Sequence, residues 1–187
     1  AEEETLVFSD GSHVPGGRAG AGVAYGPPSE RVSLGFTFDG IWDSSRAEMI
    51  ALREAVRVGE EQPGRDTVCV FSDSSSCLYQ LRKFLRQPLQ MLSHIHFEAL
   101  ATIGSVVTRS AKKFSFHKVR SHTGVGGNGD ADVAANQARL HGTDGYDTER
   151  AIPVAAVAGI ARSPEGVSVS MGSWRELDDG TYEAIEK

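Results

Sequence analysis

Long apolar stretches are absent from this sequence. No run of about 18 apolar residues occurs, so we expect no membrane-spanning helix and no membrane partner. The chain begins with Ala1 and an acidic Glu2-Glu3-Glu4, which is neither a signal peptide nor a basic transit peptide. Because Met is missing at the start, we expect a processed protein, a recombinant segment or a piece of a polyprotein. With 40% hydrophobic and 24% charged residues, the composition is that of a globular protein.

Cysteine is scarce. The two cysteines, Cys69 and Cys77, lie in apolar surroundings, one in a predicted strand and one in the helix that follows. This pattern favours small buried thiols over a disulfide or a zinc site. We therefore expect an intracellular, reducing compartment, and the sequence does not distinguish nucleus, cytoplasm and mitochondrion.

Positive charge is also in deficit, since 19 Lys and Arg stand against 25 Asp and Glu. The deficit is concentrated after residue 140, where 4 basic residues face 9 acidic ones. Residues 82–120 have the opposite bias, with 8 basic residues and the single acid Glu98. This segment is a candidate phosphate-contacting surface, although a solvated basic face is an equal alternative.

Two short apolar runs end in aspartate. Leu6–Phe8 leads to Asp10, and Val68–Phe71 leads to Asp73. Their length and β-branched content predict buried strands. If the strands are neighbours, the two carboxylates meet at one edge of the sheet, where a cation would offset their repulsion. Taken singly, Asp-Gly and Asp-Ser are ordinary turn signals.

The rest of the first 140 residues reads as alternating strands and helices. Residues 5–40 predict an antiparallel meander of three strands. A helix that opens at Asp43-Ser44-Ser45, residues suited to an N-cap, follows, with Glu48 near its start, where an acid also complements the helix dipole. Two further helices, about 74–85 and 91–109, a strand at 113–121, a glycine-rich loop and a helix beginning near Gly129 complete the pattern.

Four of these stretches together resemble the bacterial type of the ribonuclease H family. They are Phe8-Ser9-Asp10-Gly11-Ser12, Ser45-Arg46-Ala47-Glu48, Phe71-Ser72-Asp73-Ser74, and Val119-Arg120-Ser121-His122-Thr123-Gly124 with Asn128 and Asp132. The link through Gln87-Pro88-Leu89 is too short for the extra basic helix of many bacterial members, and so looks more like the handle-less domains of retrotransposon polyproteins.

The resemblance implies an α/β fold of the RNase H type. Its five-stranded mixed sheet would have three antiparallel strands, then two parallel ones, flanked by helices. We place this catalytic domain at residues 1–142. Residues 143–187 would form an acidic C-terminal extension of unknown role, with a hairpin signal at Asp179-Gly180, through which other domains of a polyprotein or an assembly partner would dock.

The resemblance also implies the site. Asp10, Glu48, Asp73 and Asp132 would be the metal-binding carboxylates, with Asp130 a competitor for the fourth place. His122 would be the mobile-loop histidine that assists proton transfer or product release. Hard divalent ions prefer oxygen ligands, so two Mg²⁺ are expected, for which Mn²⁺ can substitute. The nucleic acid would contact the loop, helix-start and basic residues Gly11, Ser12, Ser44, Ser45, Ser75, Arg82, Lys83, Arg86, Arg120 and Asn128.

The expected activity is hydrolysis of the RNA strand of an RNA/DNA hybrid. Hydroxyls of Ser44 and Ser45, which replace the asparagines common in the family, would bond to the 2′-OH that distinguishes RNA from DNA. A different class remains open, namely a non-catalytic module that binds nucleic acid or protein in a larger assembly. A third reading keeps the fold but changes the substrate, as in exonucleases, integrases and junction resolvases.

Overall fold

The computed structural model describes residues 4–15, 17–38, 43–64, 66–120, 126–142, 159–160, 166–176 and 182–184. Within these ranges, no helix is long and apolar enough to cross a membrane.

A seven-stranded sheet organises the residues that the structure describes. Its strands are β1 (Glu4–His13), β2 (Ala19–Tyr25), β3 (Val32–Phe38), β4 (Thr67–Ser72), β5 (Lys113–Val119), β6 (Val167–Glu176) and β7 (Tyr182–Ala184), in the spatial order β3-β2-β1-β4-β5-β6-β7. The first three strands form the predicted antiparallel meander, and β1, β4 and β5 are parallel. The mixed α/β fold class is therefore confirmed.

The predicted count of five strands is wrong, because the extension adds two. β6 pairs in parallel with β5, from Phe114 opposite Val167 to Val119 opposite Trp174, and β7 pairs antiparallel with β6. β5 had no predicted neighbour on its outer side, and the backbone groups there are paired by β6. The division at residue 142 stays a prediction, although the sheet itself runs across it.

Four helices in the described part of the chain cover the two faces of the sheet. They are α1 (Ser44–Glu61), α2 (Ser75–Arg86), α3 (Phe97–Arg109) and α4 (Gly126–His141), with short 3₁₀ turns at Pro28–Glu30 and Pro88–Met91. Alternate residues of a strand point to opposite faces, so Val7 packs in the large core under α1, α2 and α3. Its neighbour Phe8 packs with Phe71 and with Ala131 of α4.

Small residues in β2 let α4 approach the sheet closely. A methyl group at Gly22 would collide with the Ala131 carbonyl, and one at Gly20 would collide with the Ala135 carbonyl. Glycine and alanine make up most of β2, and α4 is the element that packs closely on it.

Helix starts differ from the sequence expectation at two points. α1 begins in the predicted stretch Asp43-Ser44-Ser45, and Asp43 is its cap, since the Asp43 side chain accepts from the Arg46 backbone N–H at 2.7 Å. α3 begins at Phe97 rather than near Met91, because Pro88 starts a separate 3₁₀ turn. α4 begins at Gly126, three residues earlier than predicted.

Candidate active site

Two neighbouring strands place Asp10 and Asp73 side by side. The parallel pairing of β1 with β4 ends at Ser9 opposite Ser72, and Asp10 and Asp73 are the residues that directly follow these two serines. Asp10 is only 5% exposed, and its Oδ1 accepts from the Gly11 backbone N–H at 3.0 Å.

Helix α1 brings the third carboxylate to the same point. A methyl group at Gly11 would lie 2.6 Å from the Ala47 carbonyl carbon, so the absence of a side chain there lets the first turn of α1 touch β1. Asp10, Glu48 and Asp73 consequently each offer an oxygen, and these atoms all lie within 4.8 Å of one another. Such a set of oxygen donors suits a hard divalent cation.

The fourth predicted carboxylate comes from α4. Asp132 lies within hydrogen-bonding reach of Asp10. Its competitor Asp130 instead forms an ion pair with Arg31, at 3.4 Å, and has a side chain that is 46% exposed. The geometry therefore favours Asp132 for the fourth place, while its role as a metal ligand stays a prediction.

Crowding of these carboxylates shifts their proton affinities. Burial, followed by the charges of Glu48 and Asp73, raises the pKa of Asp10 to about 11. Burial, followed by the charge of Asp73, raises the pKa of Glu48 to about 8, against the lowering effect of bonds to Asp10 and the Gly11 backbone. Without a cation, the cluster must therefore hold protons at neutral pH.

An unsatisfied oxygen is a further sign that this cluster suits a cation. Glu48 Oε2 is buried and has no hydrogen-bond partner among the residues that the structure describes. A buried carboxylate oxygen without a partner is costly, and coordination to a metal ion would satisfy it. The donor set, its spacing and its raised pKa values all fit divalent metal ions.

His122 lies outside the described residues, within the segment 121–125. The glycine-rich stretch that contains it leads directly into α4, which carries Asp132. Its predicted catalytic role stays a prediction.

The predicted nucleic-acid contacts fall in several environments. Ser44 and Ser75 are exposed at the starts of α1 and α2, and Arg120 is exposed just after β5. Asn128 is 6% exposed within α4. Gly11 contacts α1, as described above. The structure thus disperses these residues, and their contacts with a ligand stay predictions.

Three of the predicted basic contacts form one surface, which we call the α2 basic pocket. It has a volume of about 260 Å³ and is lined by Tyr79, Arg82, Lys83, Arg86 and Gln87. The Arg82 guanidinium lies 5.9 Å from the centre of the Tyr79 ring. Some of the other basic residues in the segment 82–120 bind within the protein. Lys112 Nζ, for example, donates to the Gly59 and Glu60 carbonyls at 3.1 and 2.9 Å.

Ser45 has a partner that the sequence did not reveal. Its Oγ lies 2.8 Å from His96 Nε2, and burial followed by the charge of His94 lowers the pKa of His96. The helix predicted at about 91–109 would have contained His96; instead His96 precedes α3, and its backbone N–H donates to His94 Nδ1 at 3.0 Å. It is 4% exposed, as a core histidine would be.

Asn136 and Arg139 were also missed. Asn136 Nδ2 donates to Asp132 Oδ1 at 3.3 Å, and Arg139 Nε donates to Ser12 Oγ at 2.7 Å. The spacing of four residues between Asp132 and Asn136 would have placed both on one helix face. Nothing in the sequence indicated that Ser12 would meet that face.

Comparison with known proteins points to the same family as the sequence motifs. A family model described as RNase H matches residues 2–139. Among solved structures, the chain is similar to RNase H1 of the halophilic archaeon Halobacterium salinarum, with 21% identity, a TM-score of 0.55, and coverage of 73% of this chain and 97% of that one. No curated protein matches the sequence significantly.

Two other solved structures share the fold. LC9-RNase H1, described as a type 1 RNase H with the type 2 active-site motif, has 18% identity and a TM-score of 0.57, with 87% of each chain covered. The foamy viral protease-reverse transcriptase in complex with RNA/DNA hybrid has 16% identity and a TM-score of 0.55, with 73% of this chain and 20% of that chain covered.

Proposed function

The chain belongs to the RNase H family, and from that premise we propose that it is a metal-dependent endonuclease that hydrolyses the RNA strand of RNA/DNA hybrids. The observation that carries this proposal is the cluster of Asp10, Glu48 and Asp73 within 4.8 Å, with Asp132 beside it. A protein that only binds nucleic acid gains nothing from four clustered carboxylates, which repel both one another and the phosphates of its ligand.

The four carboxylates would hold two Mg²⁺, or Mn²⁺ in their place. When bound, such ions supply positive charge that activates water and stabilises the leaving 3′ oxygen. The chain contributes the geometry. The Gly11 N–H orients Asp10, the close contact of Gly11 with α1 positions Glu48, and the adjacent strand ends align Asp10 with Asp73. His122 would assist proton transfer or product release, as proposed from the resemblance.

Substrate choice would depend on the start of α1. We place the RNA strand near Ser44 and Ser45, whose hydroxyls can bond to a 2′-OH. The lowered pKa of His96 keeps its ring neutral at pH 7, so the ring can exchange a hydrogen bond with Ser45 without adding charge. The structural comparison also supports an RNA/DNA hybrid as the ligand, because the foamy viral protein with this fold was solved in complex with an RNA/DNA hybrid.

The α2 basic pocket would bind phosphates of the second strand. Three cations around one concave surface favour a backbone phosphate, and this interaction carries no sequence preference. Binding of the hybrid should therefore weaken with salt. Arg82→Gln should reduce the slope of log affinity against log salt by about one, and the exposed Gln90→Ala should leave it unchanged.

A cleavage assay tests the enzyme proposal. The protein is incubated with a labelled RNA/DNA hybrid and Mg²⁺ or Mn²⁺, beside double-stranded RNA and DNA. We expect loss of the RNA strand of the hybrid only. Asp10→Asn should lower the rate on the order of 10³-fold, since charge stabilisation by metal ions is worth several kcal/mol. Asp130→Asn is the matched control and should retain activity, because Asp130 is paired with Arg31.

The result that would overturn the proposal is an intact hybrid at every metal concentration. If that hybrid were nevertheless bound in a salt-sensitive manner, the chain would be a non-catalytic nucleic-acid-binding module. Cleavage of all three duplexes would instead indicate a nuclease with a different substrate class.

A further inference from the structure

A chain of three hydrogen bonds leads from α4 through β1 to Asp132. Arg139 Nε donates to Ser12 Oγ at 2.7 Å, and Ser12 Oγ donates to Asn136 Oδ1 at 2.6 Å. Asn136 Nδ2 then donates to Asp132 Oδ1 at 3.3 Å. The chain has a cation at one end and a candidate metal ligand at the other.

The direction of these bonds follows from the chemistry of Arg139. A guanidinium N–H can only donate, so Ser12 Oγ must accept from it and is free to donate its own proton onward. That proton requires an acceptor, which orients Asn136 with its carbonyl oxygen toward Ser12. The Asn136 NH₂ group must then face Asp132, where it meets an acceptor oxygen.

Packing holds the participating elements in register. Asp132, Asn136 and Arg139 are spaced four and three residues apart, which places them on one face of α4. That half-buried face borders the buried face of Ala131, Ala135 and Ala138, which packs on β2 so closely that a methyl group at Gly20 would come within 2.8 Å of the Arg139 backbone nitrogen. Because α4 cannot slide, the polar chain has one geometry.

We propose that Asn136 and Arg139 are positioning residues for the Asp132 carboxylate, and that Ser12 acts as the link between them rather than as a nucleic-acid contact. Asn136 fixes the rotation of the carboxyl group, which keeps it turned toward Asp10. This inference rests on the proposed function, because it assumes that Asp132 helps to hold a metal ion. It revises the role that the resemblance suggested for Ser12.

The expected effect is on the metal. Groups that hydrogen-bond to a metal ligand typically change metal affinity or activity by 10–100-fold when they are replaced. Asn136→Ala should therefore weaken Mn²⁺ binding by about 10–100-fold. Arg139→Met should have a smaller effect in the same direction, since it leaves the Asn136–Asp132 bond in place but frees Asn136 to rotate. Gln137→Ala, an exposed neighbour on the same helix, should have none.

The test measures Mn²⁺ binding by calorimetry on the full chain without substrate, and separately the metal requirement and KM of hybrid cleavage. We expect Ser12→Ala and Asn136→Ala to raise the Mn²⁺ concentration for half-maximal rate and to leave KM for the hybrid unchanged. Circular dichroism verifies that each variant is folded, and Arg139→Met serves if Asn136→Ala is not.

A double-mutant cycle separates positioning from a general structural effect. If Asn136 acts through Asp132, Asn136→Ala should have no further effect on Mn²⁺ affinity in an Asp132→Asn background. Equal losses in both backgrounds, or a folded Asn136→Ala with unchanged Mn²⁺ affinity, would overturn the inference. A raised KM with an unchanged metal requirement in Ser12→Ala would return Ser12 to the nucleic-acid interface.

Failure of the proposed function gives a different result. If the wild-type chain binds Mn²⁺ but leaves the hybrid intact, the enzyme proposal fails and the binding measurements still decide the positioning role. If the wild-type chain binds no Mn²⁺, both proposals are overturned together.

Discussion

Replacing Asp10 by asparagine should stabilise the metal-free protein. Asn is isosteric with Asp and keeps the oxygen that accepts the Gly11 N–H. The unfolded carboxyl loses its proton near pH 3.8, whereas the folded carboxyl, with a pKa of about 11, retains it. At pH 7 the bound proton therefore costs the folded state about 4 kcal/mol, because this pH lies about three units above the pKa of the unfolded carboxyl. Asparagine is neutral and needs no proton.

We expect a gain in the free energy of unfolding of about 2–4 kcal/mol at pH 7, because relaxation around a buried ionisable group offsets part of the full figure. For a chain of this length that corresponds to an increase in Tm of about 5–15 °C. The stability gained by Asp10→Asn should increase with pH. Below pH 4 the carboxyl is protonated in both states and the gain vanishes; it then grows with pH by up to about 1.4 kcal/mol per unit.

Urea unfolding in EDTA, followed by circular dichroism from pH 4 to 8, measures this gain. Adding Mg²⁺ should reduce the difference in stability between Asp10→Asn and the wild type, since 10 mM Mg²⁺ at a Kd of about 1 mM would stabilise the wild type by about 1.4 kcal/mol. Asp130→Asn is the control and should lose less than about 1 kcal/mol, because its ion pair with Arg31 is partly exposed. An Asp10→Asn variant that is no more stable at pH 7, or equally stabilised at pH 4, would refute the reasoning.

Three further predictions concern packing and charge. Gly22→Ala should cost about 3 kcal/mol, because its methyl group would collide with the Ala131 carbonyl; an unchanged urea midpoint would contradict close packing of α4. Lys112→Met should cost about 1–2 kcal/mol and speed hydrogen exchange in the last turn of α1, whose carbonyls Lys112 binds. Glu54→Gln should lower the free energy of unfolding, measured in urea, by about 3 kcal/mol, because Glu54 pairs at 3.0 Å with Arg53, which is 1% exposed. A loss below about 1 kcal/mol would show that groups other than Glu54 compensate the charge of Arg53.

Local patterns were sufficient to predict the main elements of the site. An apolar run that ends in aspartate marks a buried strand and its exit from the core, so Asp10 and Asp73 could be assigned to strand ends. Asp43 and the helical spacing after it predicted the start of α1 and therefore the position of Glu48. Buried thiols were predictable as well, and Cys69 and Cys77 are both free and buried.

Other features depend on contacts between residues far apart in the chain. The pairing of β6 with β5 did not follow from the sequence, because a sheet edge accepts any extended segment that reaches it. Pro88 marked a break between helices, yet the position of His96 beside Ser45 required the packing of the α2–α3 connection against α1.

The sequence by itself determined which residue types stand at strand and helix ends, because side-chain periodicity, capping and turn chemistry act over a few residues. It therefore placed Asp10 and Asp73 at strand ends and Glu48 near a helix start, whereas the order of the strands in the sheet was implied by the family resemblance. The family resemblance favoured Asp132 over Asp130, and the tertiary structure brings Asp132 within reach of Asp10 and pairs Asp130 with Arg31. Only the tertiary structure decided that Ser12 meets Asn136, 124 residues away. These outcomes depend on how deeply α4 settles onto β2, and that depth is set by close packing between elements that no local pattern records.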